Sequence, residues 1–149
     1  MFRKIALSAA LVLFSVTAFG HDEGHGPKIK NQGKYGGRMS SVIFKKDASN
    51  KHAKAQYAAE MTSSADGTLR LYFYDTKLQP ASISVKQVTG NASYKSKDTR
   101  KSTTSKIEFK QNGSSFDSKL PADIGGTVSL EVDIATKDGE YMAAFPRIK

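Results

Sequence analysis

The stretch Gly67-Thr68-Leu69-Arg70-Leu71-Tyr72-Phe73-Tyr74-Asp75 decides the fold class. Leu69, Leu71 and Phe73 alternate with Thr68, Arg70, Tyr72 and Tyr74. A period of two is that of a half-buried strand, because successive side chains point to opposite faces. Turn-forming residues flank it, Asp66-Gly67 on one side and Asp75-Thr76-Lys77-Leu78-Gln79-Pro80 on the other. The pattern predicts a central strand with Leu69, Leu71 and Phe73 in a core and the tyrosines on an outer face.

Outward from that strand, other segments read the same way. Toward the N-terminus, residues 54–63 alternate, with Ala55, Tyr57, Ala59 and Met61 set against Gln56, Ala58, Glu60 and Thr62. The turn Ser64-Ala65-Asp66-Gly67 joins them to the central strand as a hairpin. Regular structure begins at Arg38, and Met39-Ser40-Ser41-Val42-Ile43-Phe44 is a first strand. Toward the C-terminus, residues 82–88 form a strand with Ile83 and Val85 inward, and residues 89–105 are the least ordered part, with a weak strand near Tyr94. Asn112-Gly113 is a strong hairpin signal between residues 106–111 and 115–120. Val128, Leu130, Val132 and Ile134 face inward from a long strand, and Asp138-Gly139 turns it into a last one ending at Phe145. Seven to eight short strands, with no helical period, predict an antiparallel Ig-like β-sandwich.

The first twenty residues read differently. Arg3 and Lys4 precede an apolar run over residues 5–19, and Ala18-Phe19-Gly20 places small residues at a cleavage site. That is the pattern of a secretory signal peptide, shorter than a membrane span. The expected organisation is a signal peptide over 1–20, a flexible Gly/His-containing arm over 21–37 and the β-sandwich over 38–149. The expected location is periplasmic or secreted. Cysteine is absent from the sequence, so an exported chain would depend on its core without disulfides. Loss of the leader leaves 21 basic against 14 acidic residues. That balance suits anionic partners, an anionic surface among them.

Three pieces together resemble a known family. His21-Asp22-Glu23-Gly24-His25-Gly26-Pro27 is followed by Lys34-Tyr35-Gly36-Gly37-Arg38, then by the central strand and Leu120-Pro121-Ala122. This resembles the small sandwich domain of periplasmic adaptor subunits of heavy-metal cation efflux systems and their stand-alone exported relatives. The resemblance implies an efflux-system or envelope protein as partner. Efflux-associated members often carry a histidine before the Gly-Gly pair; here Tyr35 stands there.

The residues that could carry chemistry are few. A chain beginning at His21 would offer its α-amine and imidazole as a chelating pair, with His25 as a second ring and Asp22 or Glu23 supplying oxygen. Imidazole suits copper and zinc. The leading expectation is therefore a metal-binding or metal-handling accessory, with copper or zinc at His21, His25, Asp22 and Glu23 and no other cofactor. The alternative is a non-catalytic interaction module, working without metal through its tyrosine-bearing face or the basic residues Lys95, Lys97, Arg100, Lys101, Lys106 and Lys110. No catalytic residue is expected: no serine lies in a G-x-S-x-G setting, the carboxylates fall in turns or on outward strand positions, and His52 lies in a polar loop. Met39, Met61 and Met142 read as core fillers rather than Cu(I) ligands. Nucleic acid is not an expected partner, since the basic stretch lacks interleaved aromatics. No mature segment reads as transmembrane.

Overall fold

The computed structural model describes residue 29 and residues 33–148. Eight antiparallel strands form β1 (Arg38–Phe44), β2 (Tyr57–Ser63), β3 (Thr68–Tyr74), β4 (Val85–Lys95), β5 (Ser102–Asn112), β6 (Ser115–Lys119), β7 (Ser129–Thr136) and β8 (Glu140–Phe145). A 3-10 turn, Lys45–Asp47, follows β1.

The strands close into a barrel in the order β1-β2-β3-β6-β5-β4-β7-β8. This corrects the expected sandwich: the eight antiparallel strands are present, but two of them join the layers. β1 pairs with β2 from Arg38 to Val42 and then with β8 through Ile43 and Phe44. β5 pairs with β4 from Ser102 to Phe109 and with β6 from Lys110 to Asn112. A strand that changes neighbour partway along forms a corner, and two corners leave no open sheet edge. β7 lies beside β4 after the β4-β5-β6 meander, a Greek-key connection.

Alternation fills the interior. Leu69, Leu71 and Phe73 from β3 share one buried apolar cluster with Leu130, Val132 and Ile134 from β7 and with Val88, Ile107 and Phe109. Charged side chains such as Lys106, Glu108 and Glu131 stand outside. An apolar interior with a charged exterior is the reverse of a membrane barrel. No helix among the described residues is long and apolar enough to cross a membrane.

Other expectations are also redrawn. The segment 82–88 is a strand only from Val85 onward. Residues 89–105, read as poorly ordered, carry most of β4 and the start of β5, the two longest strands at 11 residues each. Their serines, threonines and lysines are the outward half of an alternation whose inward half is Val88, Gly90, Ala92 and Tyr94. The small members hid the period: a Cβ on Gly90 would already lie 3.0 Å from Leu130 Cδ1. The hairpins at Asp66-Gly67, Asn112-Gly113 and Asp138-Gly139 occur as expected, joining β2 to β3, β5 to β6 and β7 to β8.

One strip of the wall is covered from outside. Ile43, on the outer face of β1, packs with Ala53 and Met142 under the β1–β2 connection. Beside it, residues 33–37 lie as a strap across the outer faces of β2 and β3, over Glu60 and Tyr72. This strap shapes the site.

Candidate functional site: an aromatic cleft beside a buried carboxylate

Glu60 lies on the outer side of β2, in register with Tyr72 of β3 and Met39 of β1. Period-two reasoning exposes it to solvent; it is 0 % exposed. Its carboxylate accepts three donors. The Tyr35 N–H reaches Oε1 at 2.9 Å, the Gly37 N–H reaches Oε1 at 2.6 Å, and the Tyr74 hydroxyl donates to Oε2 at 2.6 Å. A buried charge needs such compensation. The strap supplies it, and the carboxylate in turn holds the strap.

The strap's glycines permit this approach. A Cβ on Gly33 would fall on the Glu60 carboxyl group, and one on Gly37 would sit 2.5 Å from the Met61 carbonyl oxygen. Tyr74, expected on an open outer face, is buried at 4 % exposure. Burial, then the bond it donates to Glu60 and that residue's charge, hold its phenol well above the usual range. It therefore stays protonated near neutral pH and acts as a fixed donor.

With its backbone held on Glu60, Tyr35 lays its ring on Tyr72, centroids 4.1 Å apart and planes at 24°. Tyr35 is 49 % exposed, the one exposed large hydrophobic side chain among the described residues. The Lys34 ammonium stands 5.6 Å from the centre of the Tyr35 ring. The stacked pair borders a cleft of about 220 Å³ that also reaches Phe116, Pro80, Ile83 and Ser114.

The cleft exists because the wall is incomplete there. β3 pairs with β6 only from Thr68 to Leu71. Beyond that point β6 has already turned back at Gly113, and β3 is met instead by the loop that follows it, through the Tyr74–Pro80 bridge and the Ala81 N–H to Phe73 carbonyl bond of 3.1 Å. Phe73 and Phe116, a T-shaped pair with centroids 5.7 Å apart, belong to the interior and form the floor of the gap.

The residues singled out from sequence fall elsewhere. His21, Asp22, Glu23 and His25 lie outside the described residues, as does the signal-peptide segment. No group of three or more His, Cys, Asp or Glu side chains able to hold a metal occurs among the described residues. His52 is exposed, its backbone N–H bonded to the Asn50 side chain. Met61 and Met142 are buried in the two apolar clusters, as expected of core fillers, whereas Met39 is only half-buried, on the outer side of β1 in register with Glu60, and belongs to neither cluster. Lys95, Lys97, Arg100, Lys101, Lys106 and Lys110 are all exposed. The first four surround a hairpin end tied to the next loop by Lys97 N–H to Asp123 carbonyl and Gly125 N–H to Lys95 carbonyl bonds, each 2.7 Å.

Sequence reasoning named the tyrosine-bearing face but not Glu60, Tyr35 or Phe116 as its partners. One signal was present: Ala58, an outward position beside Glu60, is apolar. Comparison with protein-family models, with curated proteins and with solved structures finds no significant match to this chain.

Proposed function

We propose that the protein is a non-catalytic binding module whose contact site is the cleft between Tyr35, Tyr72 and Phe116. The observation behind this reading is the exposed Tyr35 ring, stacked on Tyr72 and fixed through the buried Glu60. Rigid aromatic side chains beside a concave apolar floor are what binding anchors are made of. The size of the gap sets the scale of the ligand. About 220 Å³ is below the roughly 300–1,000 Å³ of sites for drug-sized molecules, so one ring or one partner side chain fits. The absence of catalysis in this reading is supported by the state of the polar groups nearby. Tyr74 holds its proton, and both oxygens of Glu60 are occupied. In the same reading the chain is exported behind the leader-like residues 1–20.

Titration of the ¹⁵N-labelled protein with p-cresol tests the site. Amide shifts at Tyr72, Ser114 and Phe116, lost in a Tyr35→Ser variant whose remaining amide spectrum is that of the folded parent, are the expected result. Shifts scattered over the barrel, or none up to the solubility of the probe, overturn it.

A second reading rests on the two histidines at the start of the mature segment. Metal handling at His21 and His25, with copper or zinc, is favoured by the amine-plus-imidazole pair and by the resemblance to cation-efflux adaptor domains. Calorimetric titration of the processed protein with Cu(II) and Zn(II), against His21→Ala/His25→Ala, decides it. Equal heats from both proteins remove this reading and leave the cleft untouched.

A further inference from the structure

Resting on the cleft as the contact site, we infer that its ligand is an aromatic carboxylate: one ring seated against Tyr35, Tyr72 and Phe116, with its anionic group on the Lys34 ammonium. The charge around the opening argues for this. Lys34 is the one charged side chain among the described residues that line the cleft. The buried acid beside the strap, Glu60, is not part of the lining, and its oxygens are taken by the Tyr35 and Gly37 N–H groups and the Tyr74 hydroxyl. A cationic ligand would meet Lys34 at the Tyr35 ring it already occupies and would find no carboxylate in the lining to pair with. A neutral aromatic would gain the ring contacts and leave the ammonium to water.

The remaining lining fits the same chemistry. Ser82, Gln111 and Ser114 place hydroxyl and amide groups around an apolar floor, the usual composition of a site that orients a small amphiphile. The lysine stem is flexible and its three donors rotate, so the ammonium can follow a carboxylate at the rim. The excess of 21 basic over 14 acidic residues that remains without the leader adds a long-range attraction for anions at low salt. Two sources supply this chemistry: a free aromatic acid, or the C-terminal carboxylate of a peptide ending in an aromatic residue.

The test is a comparison of closely related probes by amide shifts of the full ¹⁵N-labelled chain. 3-Phenylpropionate, 3-phenylpropanamide and phenethylamine share the ring and differ in charge. The expected order is carboxylate over amide over amine, with carboxylate and amide about fivefold apart, the scale of one rim ion pair. That preference should vanish in Lys34→Gln and shrink at high salt. Equal binding of all three probes, or a carboxylate preference that survives Lys34→Gln, overturns the charge assignment while leaving the cleft as the contact site. No shift at Tyr72, Ser114 or Phe116 with any probe overturns the cleft itself. N-acetylphenylalanine distinguishes the sources. Tighter binding than 3-phenylpropionate identifies a peptide terminus, and equal or weaker binding a free acid.

Discussion

Replacing Glu60 by alanine separates the strap from the barrel on which it lies. The substitution removes the acceptor for the Tyr35 N–H, the Gly37 N–H and the Tyr74 hydroxyl. If the strap stayed in place, three unpartnered donors at about 1–3 kcal/mol each would cost about 3–9 kcal/mol. The strap is not obliged to stay. Releasing residues 33–37 rehydrates the amides and returns backbone freedom of about 1–2 kcal/mol per residue, at the loss of a Tyr35–Tyr72 stack of about 0.5–1.5 kcal/mol. Detachment is the cheaper outcome. The global loss should therefore fall below the ~3–9 kcal/mol of a strap held in place with its donors unpartnered. Urea denaturation measures that loss, and hydrogen exchange locates it. The Tyr35 and Gly37 amides should lose protection in Glu60→Ala while the β7 amides keep theirs relative to global stability. Glu60→Gln retains one carbonyl acceptor and should cost about 1–2 kcal/mol with the strap still protected. Gly33→Ala should release the strap with Glu60 intact, because its Cβ has no room beside the carboxyl group. If Glu60→Ala costs under about 1 kcal/mol and both amides remain protected, the carboxylate is not the anchor.

Three further outcomes are expected. Phe73→Ala should destabilise by about 3–5 kcal/mol, since Phe73 is 6 % exposed against Phe116, whereas Tyr72→Ala should cost clearly less in thermal melts because its ring is only half-buried. Burial alone would raise the Asp117 carboxyl, but bonds from Asn112 and Ser115 and the Arg70 charge outweigh it and hold the group below its usual range; a depressed folded value gives stability that is present above about pH 4 and lost as pH falls further, so Asp117→Asn should flatten acid denaturation curves in that window. Tyr74 and Tyr141 are both raised, first by burial; their contribution is complete below the ordinary phenol value of about 10 and lost as pH climbs past it. Phenolate absorbance of the native protein at about pH 11 should then fall short of the six tyrosines in the sequence, and Tyr74→Phe should remove part of the missing signal on unfolding.

The alternation at Leu69, Leu71 and Phe73, the dipeptides Asn112-Gly113 and Asp138-Gly139 and the inward series from Val128 to Ile134 determined strand class, hairpins and core without any tertiary information. These are local properties: side-chain periodicity and turn conformation depend on residues a few positions apart. Closure of the barrel was not local. It depends on β1 and β5 changing neighbours partway along their length, and both strands read the same in a sandwich. The ordered β4–β5 pair is hidden in the sequence because Gly90 and Ala92 supply the inward half of its pattern with side chains too small to register as apolar. The cleft depended on tertiary structure most of all. Glu60 and Tyr74 sit at outward positions of an ordinary alternation, and whether an outward carboxylate meets water or two backbone N–H groups depends on a strap 23 to 25 residues away in sequence. Alternation tells which face of the wall a side chain occupies; what covers that face is set by long-range packing.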